Sequence, residues 1–250
     1  MTIKKITRLS ATPEGFGQTP DDLTSDMFIS DLPVQHTHEY FHNEELGLYV
    51  GVWDTTDMVE TAGPYPCDEF MWLLEGEAAI KNCKSGALAK VKAGEPFVIP
   101  AGYDCQWRQS GYLRKFFLIS ENPDEPVPVT PTVEGIVIPR EDSKMSPLLK
   151  ARPFLTESGF PVQLQHICYE NGTGKFQAGT WESDPFESKP RPFPYNQFAR
   201  IIAGTLTLID EEGTDHHFEP GDSLFLPEGV MCGARAAEKV KLFFAIVKPT

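Results

Sequence analysis

Glu69 follows Cys67 by two residues in the run Cys67-Asp68-Glu69-Phe70-Met71. Alternate residues of a strand share a face, so an extended backbone puts Cys67, Glu69 and Met71 on one side. A carboxylate on an apolar surface is desolvated and its pKa rises, which suits a general acid or base. The plain alternative is a Glu69 hydrogen-bonded to a neighbouring strand for structure. A second grouping is His36-x-His38-x3-His42, three imidazoles that a regular strand would also place on one face. That pattern admits a metal reading, and equally histidines that bond nearby carbonyls or face solvent.

These residues sit in a chain that repeats itself. Residues 32–119 and 160–247 align with a constant offset of 128, which falls to 127 after one missing residue in a turn. Pro33-Val34-Gln35 pairs with Pro161-Val162-Gln163, and Gly51 and Trp53 pair with Gly179 and Trp181. Further on, Gly94, Pro100, Gly102 and Cys105 pair with Gly221, Pro227, Gly229 and Cys232. The period is that of a whole domain and far exceeds the roughly 20–50 residues of a solenoid unit. The copies differ where chemistry would sit: Glu69 is matched by Gln197, and only His38 of the three histidines has a partner, His166. Leu164 and Glu170 replace the other two, which argues against a metal there.

The elements that must carry these side chains read as short strands broken by Gly and Pro. Phe70-Met71-Trp72-Leu73-Leu74 closes at Glu75-Gly76, and Pro96-Phe97-Val98-Ile99 ends at Pro100-Ala101-Gly102. The second copy repeats this with Ile201-Ile202, Leu224-Phe225-Leu226 and Pro227-Glu228-Gly229. Strands at near-regular spacing predict an all-β sandwich or barrel, without helical periodicity inside either repeat. The boundaries follow: an N-terminal arm over 1–31, one barrel over 32–120, a Pro-rich linker over 121–159 and a second barrel over 160–250. A short helix is predicted over Ser143–Ala151. Because Phe70, Trp72 and Leu74 make the opposite strand face apolar too, that face needs a cover. A second subunit would supply one, so a homodimer is expected.

Composition narrows the function classes. Hydrophobic residues make up 40% and charged residues 23%, ordinary for a soluble globular protein. No run approaches the roughly 20 apolar residues of a membrane span, and Met1–Ser10 has no apolar signal core. Five cysteines without close spacing point to the reducing cytoplasm rather than a disulfide framework. A net charge of −14 opposes binding to nucleic acid or an anionic membrane.

The Gly and Pro spacing resembles the cupin superfamily of small jelly-roll barrels. Its second signature runs Gly, five residues, Pro, one residue, Gly, two residues, then a ligand His. Gly94, Pro100 and Gly102 fit it, as do Gly221, Pro227 and Gly229. Its first signature ends with Glu, six residues, Gly, matched by Glu69 and Gly76 and, with Gln197 for Glu, by Gly204. The Trp ahead of each motif and the sequence Asp68-Glu69-Phe70 look like the subgroup that includes ureidoglycine aminohydrolase. The resemblance implies two tandem cupin barrels in one chain, a bicupin.

The usual cupin metal is held by two His, a Glu and a further His. Here the two His positions fall among Ala62–Tyr65 and among Pro190–Phe193, and hold no His. The last ligand position is Cys105 in one copy and Cys232 in the other. The usual four-ligand site is therefore not expected. If Glu69 points inward as in relatives, Cys67, Glu69 and Cys105 could instead form a soft site suited to zinc. The alternative is that both thiols are small buried hydrophobes. On the same footing, the first lumen is expected to present Trp53, Tyr65, Cys67, Glu69, Met71, Cys105 and Trp107. The second is expected to present Trp181, Arg191, Tyr195, Gln197 and Cys232. Glu69 is the expected acid or base, Cys105 a nucleophile only if a base lies near it, and Arg191 a fork for a carboxylate or phosphate or else a loop residue. The reading is a bicupin that binds a small polar metabolite. If it is an enzyme, the expected chemistry is hydrolysis, isomerisation or lyase chemistry assisted by Glu69. The rivals are a metal-dependent enzyme like ureidoglycine aminohydrolase and a non-catalytic sensor or structural cupin.

Overall fold

The computed structural model describes residues 4–121, 127–128, 130–148 and 161–249. Among them the chain is strands and turns, with one short 3-10 turn at Ser25–Met27. It divides into two compact units, one of Ser10–Ile138 and the other of Met1–Leu9 with Pro139–Thr250.

The first unit is a pair of antiparallel sheets. One holds, in spatial order, Gln35–Asn43, Leu48–Thr55, Leu113–Ser120, Asp68–Glu75 and Pro96–Ile99. The other holds Met58–Val59, Asp104–Gln109, Glu77–Asn82 and Leu88–Lys92, with Gly63–Pro64 also pairing to Asp104–Gln109. Alternation aims Met71, Leu73, Phe97, Phe117, Ile80 and Trp107 into one core between the sheets. The strand Asp68–Glu75 is apolar on its other face too, and Phe70 and Trp72 are both buried.

The second unit repeats the plan. A seven-stranded sheet contains Ser223–Leu226, Asn196–Ala203, Val240–Val247, Phe176–Ser183 and Gln163–Glu170, and a four-stranded sheet contains Phe186–Pro192, Met231–Ala236, Leu206–Ile209 and Asp215–Phe218. Two additions come from outside the repeat. Thr7–Leu9, from the N-terminal arm, pairs with Ser223–Leu226, and Arg8 is tied down by Asp222 at 2.6 Å and by the carbonyl of His217. Ser146–Pro147 pairs with Leu164–Gln165 at the opposite edge. This is where a helix was predicted. Its first residues are extended because the sheet edge offers them partners, and its last ones, 149–151, lie outside the described residues, as does much of the Pro-rich linker.

The ladders of the two units match residue for residue. Glu69 lies opposite Ile99, and Gln197 opposite Leu226. Cys105 lies opposite Gly63, and Cys232 opposite Arg191. The shared glycines have a steric reason. A Cβ on Gly51 would lie 2.4 Å from the carbonyl oxygen of His38, and one on Gly179 would lie 2.0 Å from that of His166. Both close approaches sit beside a bulge, between Glu39 and Phe41 in one copy and between Ile167 and Tyr169 in the other.

Candidate functional site

Strand order and register bring five chemistry-bearing residues into the first lumen. Glu69 stands on Asp68–Glu75 on the same side as Met71 and Leu73. The adjacent strand Leu113–Ser120 places Lys115 opposite Trp53 on one side and opposite Leu73 on the other. Trp107 enters from Asp104–Gln109 in the facing sheet. Tyr65 sits on a loop clipped by two backbone bonds, its N–H donating to the carbonyl of Tyr103 at 2.9 Å and its own carbonyl accepting from Gly102 at 2.8 Å. Gly102 has a φ of 77°, the left-handed turn that the Pro-x-Gly signature supplies.

Lys115 was not among the residues expected in the lumen, yet it organises the site. It is buried, as is Glu69. Its ammonium donates to Glu69 Oε1 at 2.7 Å and to Met71 Sδ at 3.1 Å. Nζ lies 4.8 Å from the Trp53 ring centroid and 5.1 Å from that of Trp107, within cation–π range of both. The two indoles stand edge to face, 6.3 Å apart at 84°. The second oxygen of Glu69 accepts a hydrogen bond from the Tyr65 hydroxyl. Trp53 and Tyr65 are half-buried, and Cys67, Met71, Cys105 and Trp107 are buried.

The electrostatics add a second unexpected residue. Glu60, half-buried just after the strand Met58–Val59, has its carboxyl pushed up to about 7 by burial. Lys115 pulls against that shift, and the charge of Glu69 reinforces it. Burial, then the charge of Glu69, hold Tyr65 and Cys67 well above their ordinary values. Burial pushes the Cys105 thiol up to about 12, with Cys83, Glu60 and Asp104 adding to it. A thiol raised this far acts as a nucleophile only with a base to take its proton.

The residues present do not fit a metal. Among the described residues no three His, Cys, Asp or Glu side chains come together to hold one, so Cys67, Glu69 and Cys105 do not make the soft zinc site that their faces allow. Both oxygens of Glu69 are engaged, and an ammonium 2.7 Å from one of them would repel a divalent cation. The histidine grouping dissolves for a local reason. The bulge at Tyr40 reverses the strand's alternation, so His36 and His38 lie opposite Asp54 and Val52 while His42 lies opposite Tyr49, on the other face. His36 Nδ1 is bonded to Asp54 at 2.7 Å, and His42 to Glu39 at 2.6 Å.

The second lumen has the same frame and a different lining. Phe193 is clipped to Val230 and Gly229 as Tyr65 is to Tyr103 and Gly102. At the places of Glu60, Tyr65, Glu69 and Lys115 stand Ser188, Phe193, Gln197 and Leu242. A cavity of about 30 Å³ remains, lined in part by Trp181, Phe186, Phe193, Gln197, Cys232 and Leu242. It has room for a water or two, at about 10–15 Å³ each. Of the other expected residues, Tyr195 packs half-buried at the edge of the core and Arg191 is exposed. Burial pushes the Cys232 thiol up to about 12.

Residues 170–246 match the family described as the EutQ-like cupin domain. No curated protein matches the chain. Among solved structures, a protein of unknown function from Pseudomonas syringae pv. tomato is 21% identical with a TM-score of 0.78, the match covering 98% of this chain and 100% of that one. A cupin 2 conserved barrel domain protein from Leptotrichia buccalis is 15% identical with a TM-score of 0.50, covering 90% and 92%. A variant of salicylate 1,2-dioxygenase from Pseudoaminobacter salicylatoxidans is 11% identical with a TM-score of 0.51, covering 80% and 71%. At these identities the likeness is one of fold. The architecture is all-β and jelly-roll, and residues 170–246 are similar to a cupin domain.

Proposed function

We propose that the protein is a bicupin that binds a small polar metabolite in its first barrel and moves a proton on it there without a metal. The observation that carries this is the buried Lys115–Glu69 pair. A buried ion pair is a poor stabiliser, because desolvating two charges offsets most of their attraction. The second barrel has apolar Leu242 and neutral Gln197 at the same places and builds the same ladders, so the fold does not need the pair. Its retention in one copy points to use.

The roles divide by environment. Lys115 and Tyr65 hold Glu69 in one geometry, one on each carboxylate oxygen. Glu60 titrates near neutrality, which suits a group that takes up and returns a proton. Abstraction and return of a proton is the chemistry of isomerases and lyases, and this reading favours those over hydrolysis. The aminohydrolase reading needs a metal, which the donor set does not favour. A non-catalytic sensor would share the pocket without the turnover.

The test begins with native mass spectrometry to identify a co-purifying ligand. Its binding and conversion are then compared in the wild type, in the double variant Lys115→Leu/Glu69→Gln and in Gln197→Ala. The double variant copies the second barrel. Loss of binding there, with Gln197→Ala close to wild type, is the expected result. The reverse pattern would place the site in the second barrel, and binding without conversion would leave a sensor.

A further inference from the structure

Lys115 has three N–H donors and no acceptor. A buried ammonium is costly unless those donors meet acceptors. One meets Glu69 Oε1 at 2.7 Å and another the Met71 sulfur at 3.1 Å, a weak acceptor. Beyond these, the ammonium faces the indoles of Trp53 and Trp107. Among the described residues Lys115 thus holds one oxygen where it has capacity for three. Glu69, by contrast, is engaged on both oxygens. The unmet demand in the lumen is for an oxygen acceptor with negative charge, placed beside two aromatic faces.

We infer that Lys115 is the docking cation of the first barrel and that its ligand is a small organic carboxylate, one oxygen on Lys115 Nζ and the carbon skeleton against Trp53 and Trp107. This rests on the reading that the first barrel is the ligand site. Charge balance favours a carboxylate over a phosphate. Lys115 and Glu69 already cancel, so the ligand's charge is all added, and a dianion would add twice as much beside Glu69 and Glu60. A single charge can be absorbed by Glu60, which burial already holds near neutrality and which a nearby anion pushes further towards its protonated form. The second barrel, with Leu242 in place of Lys115, has no such anchor.

Calorimetry near neutral pH tests this with short-chain carboxylates, each paired with its primary amide, and with inorganic phosphate. The proteins are the wild type, the Lys115→Leu/Glu69→Gln variant and Trp53→Ala, with melting temperature as the folding control. The expected result is a carboxylate bound about tenfold or more tighter than its amide. Phosphate should not compete, and carboxylate binding should be lost in the double variant while its fold remains. Equal binding of acid and amide, carboxylate binding that survives in the double variant, or preference for phosphate would overturn the inference. In those cases the first-barrel reading still stands if Trp53→Ala abolishes whatever binds. If no compound binds the wild type, both fail.

Discussion

Lys115 and Leu242 occupy the same place in the two units. Lys115 lies opposite Trp53 and Leu73, and Leu242 lies opposite the corresponding Trp181 and Ile201. One position is filled by an ammonium bonded to a carboxylate, the other by a side chain of the core. The second unit is therefore a built-in control for the first, showing what the frame looks like without the charge pair.

That control makes the energetics of the pair testable. Lys115→Leu alone leaves the buried Glu69 carboxyl without its cation, with the Tyr65 hydroxyl still beside it. The expected loss is about 3–5 kcal/mol. Adding Glu69→Gln removes the stranded charge and should restore most of the loss. Urea midpoints of the two single variants and the double variant measure the coupling. Strict additivity would mean that the pair is not desolvated as the structure has it.

Glu60 should make stability depend on pH. Its folded pKa of about 7 lies above its ordinary 4.5, so the folded state binds the extra proton between those values. Stability then falls as pH rises from about 4.5 to 7 and levels off above. Glu60→Gln stays neutral and escapes this. At about pH 8 the variant is expected to be more stable on the order of 2–3 kcal/mol, less whatever its partial exposure screens. The gain should vanish near pH 4.5, where both are uncharged. A difference that does not change with pH would exclude desolvation as its cause.

Thiol reactivity should follow burial. Cys105, Cys168 and Cys232 are each pushed up to about 12, and Cys67 is buried and well above its ordinary value. Cys83 is raised too, but it is half-buried and within reach of solvent. A thiol reagent at about pH 8 should modify Cys83 first and leave Cys105 and Cys232 until the protein is unfolded. Peptide mapping with and without denaturant reads the order. Prompt labelling of Cys105 in the native protein would mean that burial does not shield its thiol.

The shared glycine before each lumen tryptophan should not tolerate a methyl group. At Gly51 a Cβ would press on the His38 carbonyl at 2.4 Å and on the Phe117 ring at 2.5 Å. Gly51→Ala is expected to cost about 2–3 kcal/mol. At Gly63 nothing lies within 4 Å of the added atom, so Gly63→Ala should stay within about 0.5 kcal/mol of wild type. Equal effects of the two in thermal melts would mean that the strand Leu48–Thr55 can shift away.

The sequence by itself determined the frame. Gly51 and Gly179, the Pro-x-Gly turns at Gly102 and Gly229, and the alternation through Glu69, Met71 and Leu73 are local or repeated constraints, and each leaves a mark at a fixed spacing. A mark for Lys115 was there too: a lysine in a strand whose second copy has Leu242. It goes unread because the neighbouring Arg114 and Lys241 are also basic, and nothing local says which of two adjacent cations turns inward. The pairing of the strand decides that: it turns Phe117 into the core, and Lys115, two residues before it, shares that face opposite Trp53. The bulge at Tyr40 separates His42 from His36 and His38 in the same way. The titration of Glu60 and the pairing of Glu69 with Lys115 were decided by tertiary structure alone. A pKa depends on burial and on charges distant in sequence, and neither exists until the sheets close around them.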